Sequence, residues 1–334
     1  MNSVDTDPKP KCLVLGGGGF MGAHLCAALI DAGYPVRAFD RPVVDALAAE
    51  RAQGPVEWVY GDFVNQSDIA NAVSGCGVVY HLISTTLPKT SNDNPVYDVQ
   101  TNLGGTLALL EAARSEKVRK IIFVSSGGTV YGVPKEIPIR ESHPTDPICS
   151  YGIIKLAIEK YLHLYHRLYG LDYLVLRIAN PYGDGQRPDA AQGAVAVFLH
   201  RALTGQPIEV WGNGNVVRDY LYIGDVTEAL MRALDYRGDC KIMNIGGTRG
   251  YSVNELLKTM EEVFGRGIER KYLPARAFDV PVNVLDSTRA RELLAWQPLV
   301  SLRDGLALTL KWHQRSFHTG RKPMVLRVAN KHVR

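Results

Sequence analysis

Cysteines are few, no apolar run is long, and neither sign of charge dominates; each shortage removes a class of answer. Five cysteines (Cys12, Cys26, Cys76, Cys149 and Cys240) are scattered through 334 residues. None has a C-x-x-C partner or neighbouring histidines, so neither a disulfide framework nor a thiolate metal cage is implied. They read as reduced thiols of a cytoplasmic protein. No stretch approaches the ~20 apolar residues that a membrane span needs. The first apolar run follows a polar, proline-containing start and is cut at once by four glycines, which fits neither a span nor a secretory leader. Lys and Arg number 38 against 34 Asp and Glu, a net charge of +4, too mild to argue for a nucleic-acid partner. A basic tail over 314–334, with Arg321, Lys322, Arg327, Lys331 and Arg334, reads as a solvated or loosely docked extension.

What is present is an alternation of short apolar runs with helical stretches. "CLVLG", "PVRAFD", "VEWVYGD", "VVYHLIS", "KIIFVSS" and "DYLVLRI" read as strands; Met21 to Ala32, Leu103 to Ser115 and Tyr151 to Tyr169 read as helices. Strands alternating with helices require parallel crossovers, hence an α/β fold with a doubly wound parallel sheet of Rossmann type. After Asn180 the pattern loosens into Gly/Pro-rich loops, one helix near Ala194 to Thr204, and short strands such as "IEVWG" and "KIMNIG". The expected division is a dinucleotide-binding domain over 11–180, with elements near 219–247 returning to it, and a smaller α/β substrate-binding region over 181–313.

Three glycines mark the cofactor site. "LGGGGFMG" places Gly16, Gly19 and Gly22 directly after the first strand, where side chains would block a pyrophosphate approaching a helix N-terminus. A tight turn without a ligand is the plain alternative. The second strand ends in Asp40, 18 residues beyond Gly22; an acid there accepts both ribose hydroxyls of NAD and repels a 2′-phosphate. The neighbouring Arg41 leaves NADP tolerable. After the third strand, Asp62 suits the adenine amino group and Phe63 offers an apolar ring to flank it, with a surface turn as the alternative.

Proton chemistry is offered by "SYGIIK". Tyr151 and Lys155 are four apart at the start of a helix, so both project from one face, and the ammonium is expected to lower the phenol's pKa. His81, His143 and His200 lack partners at ligand or triad spacing and read as structural. The loop "FVSSGGTVYG" has hydroxyls but neither carboxylate nor histidine.

With "GGGGFMG", "GDFVNQSD", "VYHL", "TNLGGT", "SSGGTVYG", "YGIIK", "NPYG", "VVRDYLYIGDV" and "RAFDVP", the chain resembles the extended short-chain dehydrogenase/reductases from about Lys11 to His313, and within them the UDP-hexose 4-epimerases. The resemblance implies retained NAD, a UDP-sugar substrate, a homodimer through the helices near Leu103 to Ser115 and Tyr151 to Tyr169, and a transient 4-keto sugar. It assigns Phe20, Met21, Leu82 and Asn102 to the cofactor alongside the residues above. It makes Tyr151 the group that takes the 4-hydroxyl proton. Relatives that eliminate water keep acids before "VYG"; here Gly127, Gly128 and Thr129 stand there, which disfavours dehydration. Gly127 also occupies the place of the hydroxyl that binds the sugar's 4-oxygen, leaving Ser126, or next to it Thr129, to supply that bond.

Substrate contacts follow from the same resemblance. Asn180, Arg218 and Arg276 are assigned to the diphosphate, where guanidinium forks suit phosphate oxygens, and Asp279 to a ribose hydroxyl. Trp211 lies either beside the uracil or in the core. Asn283 aligns with a gate whose bulk decides between plain and N-acetylated hexoses. Alternatives are a UDP-glucuronate 4-epimerase, for which Arg187 is a conceivable carboxylate binder, another nucleotide-sugar dehydratase or reductase, and a non-catalytic dinucleotide sensor or scaffold.

Overall fold

In the computed structural model, residues 8–42, 55–88, 90–188, 193–275 and 280–318 are described. Seven parallel strands form one sheet: β1 (Cys12–Leu15), β2 (Val36–Asp40), β3 (Val56–Tyr60), β4 (Val78–His81), β5 (Lys120–Ser126), β6 (Asp172–Ile178) and, much later in the chain, β11 (Ile242–Ile245), in the spatial order β11-β6-β5-β4-β1-β2-β3. The order reverses between β1 and β4, and a ligand crevice opens outside the carboxyl ends of strands at such a point.

Both faces of the sheet are covered, which is why its strands read as continuous apolar runs. Successive side chains alternate between two cores. Cys12, Val14, Ile122, Val124, Leu174 and Leu176 pack with α1 (Phe20–Asp31) and with the helix over Ile223–Asp235. Leu13, Leu15, Ile121, Phe123, Tyr173 and Val175 face the other way, onto α2 (Gln66–Val73), α4 (Gly105–Ser115) and α5 (Ser150–Tyr169). Before α4 the chain enters through a short helix, α3 (Pro95–Asp98), and a wide π turn over Val99–Gly104, so this helical segment begins earlier than its apolar periodicity predicts.

The second half is more helical than its sequence pattern suggests. Besides α6 (Ala194–Leu203) it has α7 (Ile223–Asp235), α8 (Val253–Phe264), α9 (Thr288–Leu293) and α10 (Leu302–His318), where one helix was expected. α8 starts at a reciprocal capping box formed by Ser252 and Glu255. Val195, Leu199, Ile208, Val210, Leu256, Leu257, Met260 and Leu306 build a separate core here. Short strands complete the region: β7 (Asn180–Tyr182) pairs with β10 (Tyr220–Tyr222), β8 (Ile208–Trp211) with β13 (Arg270–Leu273), and β9 (Val217–Arg218) lies between β12 (Tyr251–Ser252) and β14 (Val282–Asn283). Among the described residues no helix is long and apolar enough to cross a membrane.

Candidate active site

The glycine turn between β1 and α1 forms a cradle that has no room for side chains. Gly16 has φ +87°, and a Cβ on Gly22 would stand 2.0 Å from the Gly16 carbonyl oxygen, one on Gly17 2.6 Å from the Ala38 methyl. α1 is N-capped by Gly19, with no side chain accepting from its first turn, so its N–H groups remain directed at the crevice. Phe20 and Met21 are half-buried and pack on the core. Asp40 ends β2 facing this turn: its Oδ2 accepts from Gly18 N–H at 3.0 Å and its Oδ1 from Arg41 N–H at 2.8 Å. Burial raises its pKa, and those two backbone donors oppose the rise. Arg41 is exposed. A bare-backbone cradle, an uncapped helix end and a fixed acid at the end of the second strand fit a dinucleotide with a free ribose diol.

Two expectations at the adenine end divide. Asp62 is exposed, with its carboxylate accepting from Val64 N–H at 3.1 Å. Phe63 does not flank the crevice. Its ring is buried between α4 and His81, 5.2 Å from the imidazole centroid, and a Cβ on Gly105 would touch it at 2.7 Å; apolar burial outcompetes stacking on a ligand. His81 is structural: burial lowers its pKa to about 3, and its Nε2 pairs with Thr106 Oγ1 at 2.9 Å.

Tyr151 and Lys155 stand on the first turns of α5, over the end of β5. Lys155 is buried, its Nζ donating to the Val124 carbonyl at 3.0 Å and lying 5.5 Å from the centre of the Tyr151 ring. Burial lowers its pKa to about 8, opposed by Asp98 and Glu159. The phenol of Tyr151 moves opposite to the sequence expectation: burial, reinforced by Cys149 and Asp98, raises its pKa, with the nearby Ser84 side chain opposing the rise. Desolvation therefore decides the direction of the shift.

Asp98, which the sequence reading passed over, is the hub of this corner. It is fully buried. Its Oδ1 accepts from Thr86 Oγ1 at 2.7 Å and Asn102 Nδ2 at 2.8 Å, its Oδ2 from Ser150 Oγ at 2.6 Å. The free N–H groups at the start of α5 are met by the same loop: Ser150 N donates to Asn92 Oδ1 at 2.8 Å and Tyr151 N to Ser91 Oγ at 3.0 Å. Asn102 is buried and accepts from Thr85 N–H at 2.8 Å, so its side chain braces the loop after β4. Leu82, at the start of that loop, donates its N–H to the Leu15 carbonyl at 3.1 Å. Beneath Lys155, Glu159 receives Arg177 through two bonds of 3.0 and 2.6 Å and Ser125 Oγ at 2.5 Å.

Ser126 closes β5 and is half-buried. Gly127 is boxed in, since a Cβ there would lie 2.4 Å from Leu285 Cδ1. Thr129 Oγ1 is enclosed with no hydrogen-bond partner. Asn283, on β14, is buried and donates from Nδ2 to the Gly127 carbonyl at 3.2 Å, joining the expected gate to the glycine loop. Asn180 donates from Nδ2 to the Asp219 carbonyl at 3.1 Å, and Arg218 from one guanidinium nitrogen to the Val217 and Val280 carbonyls at 2.9 and 2.7 Å. Trp211 is 40% exposed at the end of β8, which removes the core alternative. Arg276 and Asp279 lie outside the described residues.

Fold and site together define a dinucleotide-dependent α/β enzyme with a Tyr/Lys pair at the carboxyl edge of its sheet. Residues 12–246 match the NAD dependent epimerase/dehydratase family, and the chain belongs to that family. A UDP-glucose 4-epimerase of Mycolicibacterium smegmatis is 35% identical over 312 residues, covering 90% of this chain and 98% of that one. A structure of UDP-glucose 4-epimerase with UDP-glucose from Thermotoga maritima superposes with TM-score 0.87 at 37% identity, covering 92% and 99%. One of UDP-glucuronic acid 4-epimerase from Bacillus cereus, in complex with UDP-glucuronic acid and NAD, gives 0.84 at 28%, covering 91% and 99%.

Proposed function

We propose that the protein is a UDP-sugar 4-epimerase that keeps its NAD bound, acting on the glucose/galactose pair or their N-acetylated counterparts. The observation that carries this reading is the Tyr151–Lys155 pair at the mouth of a glycine cradle built for a dinucleotide. Bound in the oxidised form, NAD supplies the hydride acceptor and a positive charge that favours the phenolate. Tyr151 takes the proton from the sugar's 4-hydroxyl and later returns it. Lys155, charged at neutral pH with a pKa of about 8, stabilises the phenolate. Asp40 holds the adenosine ribose, and Asn180, Arg218 and Arg276 grip the diphosphate. No carboxylate stands in the loop 125–132, which favours a reaction that shuttles one proton over an elimination. Relatives named for UDP-glucose and for UDP-glucuronic acid are both similar to this chain, and Asn283 in place of a bulky residue supports N-acetyl tolerance. The exposed apolar side chains of α5 support a homodimer.

The purified protein is expected to carry NAD by absorbance and mass, and to interconvert UDP-hexoses without added oxidant. Tyr151→Phe should retain NAD and lose at least about 100-fold in kcat. A panel of UDP-glucose, UDP-N-acetylglucosamine and UDP-glucuronate identifies the sugar. Unchanged turnover by Tyr151→Phe overturns the reading.

A further inference from the structure

Glu159 lies one turn beyond Lys155 on α5 and is buried together with Arg177, each 3% exposed. Ser125 and Arg177 stand opposite each other in the β5–β6 register, so their side chains project side by side from one face of the sheet. Glu159 Oε1 accepts from Ser125 Oγ at 2.5 Å and from Arg177 Nε at 3.0 Å, and its Oε2 from a terminal nitrogen of the same guanidinium at 2.6 Å. Ser125 is the residue before the loop 126–131. At the far end of that loop, the Arg177 guanidinium carbon lies 4.8 Å from the centre of the Tyr131 ring, and Tyr131 is buried, its hydroxyl donating to Asn244 Oδ1 at 2.6 Å. One turn back along α5, Lys155 Nζ donates at 3.0 Å to the carbonyl of Val124, the neighbour of Ser125. Two successive residues of β5 are thus tied to two successive turns of α5.

We propose that Glu159 is a positioning residue: it holds both ends of the loop 126–131 to the helix that carries Tyr151 and Lys155, so that loop and reactive pair keep one geometry. The clamp stands on its bonds alone; its effect on turnover rests on the epimerase reading. Gly127 and Gly128 make the backbone between the two ends soft, so the course of the loop depends on how those ends are held. The first strap is direct, from the carboxylate to Ser125. The second runs through Arg177 to the ring of Tyr131. Replacing a buried ion pair by apolar groups of similar volume is often neutral for stability, so folding alone does not account for this pair. Reaction is far more sensitive to placement, since a shift of about 1 Å from a change remote from the chemistry costs on the order of 100-fold.

The test uses NAD-loaded protein. Ser125→Ala releases the first strap and leaves the ion pair intact; it should lower kcat about 10-fold with KM within about twofold, at unchanged NAD content. Ser125→Thr, which keeps the hydroxyl, should recover most of that loss. Glu159→Leu combined with Arg177→Met removes both straps and fills their space with apolar groups. This double variant should keep a melting temperature close to that of the wild type and lose about 100-fold in kcat. In Ser125→Ala and the double variant, the deuterium isotope effect on kcat for a UDP-sugar labelled at C4 should rise, because a displaced loop slows the hydride step; a smaller folded fraction cannot change that ratio. Where removing the pair prevents folding, the two Ser125 variants decide alone. Hydrogen exchange read by mass spectrometry needs no substrate: amides of residues 125–131 should exchange at least about fivefold faster in Ser125→Ala and the double variant, with those of β1 and α1 unmoved. Accelerated exchange in the variants, with no turnover by the wild type, would sink the epimerase reading and leave the clamp standing. Unaltered exchange over 125–131, or kcat and isotope effect both at wild-type values, overturns the proposal.

Discussion

Asp98 shows what a single residue can do when both of its oxygens are committed. It raises the pKa of Lys155, keeping the ammonium charged against the pull of burial, and it raises that of Tyr151 as well. In Asp98→Asn both effects vanish: Lys155 drops below its value of about 8 and sheds its proton at lower pH. The alkaline limb of the kcat/KM profile should therefore move to lower pH, and the acid limb, which reports the phenol, should move down with it. Because the amide cannot accept at both positions, the bond from Ser150 or from Asn102 is also lost, at about 1–3 kcal/mol of stability. An Asp98→Asn profile superposable on the wild type would show that the carboxylate only braces the loop. This residue was illegible in the sequence. An acid in "NPVYDVQTN" reads as a solvated helix position, and its burial goes with the bonds it accepts from Thr86, Asn102 and the distant Ser150. Tyr151 and Lys155 were legible because their spacing alone places them on one helical face.

At the scale of elements, what could be read ahead was whatever local periodicity decides. The strands of the main sheet announced themselves as apolar runs because both faces are covered, and the turn from β1 to α1 announced itself by its glycines. The turn makes a direct prediction. Gly22→Ala places a methyl 2.0 Å from the Gly16 carbonyl oxygen, a clash with backbone that cannot swing aside. The substitution should cost about 3 kcal/mol and strip NAD from the purified protein, measured by thermal unfolding and by the cofactor absorbance of the protein fraction. Retained NAD at wild-type stoichiometry would mean the turn can open. What local pattern could not show was partnership between distant elements. Glu159 follows Lys155 by one helical turn and reads as a surface acid, yet Arg177 on β6 and Ser125 on β5 enclose it. Asn283 and Gly127 are likewise joined only by β14 folding back across the chain. The helices α7 to α10 were underread because charged residues dilute their apolar stripes and Gly/Pro-rich loops separate them.

For the whole molecule, the remaining question is what covers α5, the helix that carries both Tyr151 and Lys155. Its inner face packs into the sheet through Ile154, Ile158 and Leu162. Its outer face leaves Ile153, Leu164 and Leu168 exposed, the last at 61%, at positions that fall along one stripe of the helix. Scattered apolar residues on a surface need no explanation, but a stripe on one helix fits a partner, and a second copy of α5 is its simplest complement, since a two-fold interface pairs a surface with itself. Such an interface would brace from outside the helix whose first turns position the reactive pair. Wild-type protein is expected to sediment as a dimer at micromolar concentration. Ile153→Glu with Leu168→Glu should sediment as a monomer, because association would bury four unpaired carboxylates across the two-fold, and should unfold at lower temperature while still carrying NAD, whose cradle lies on β1 and α1. A wild-type monomer in sedimentation would exclude the interface. A dimer undisturbed by the two glutamates would place it on another face.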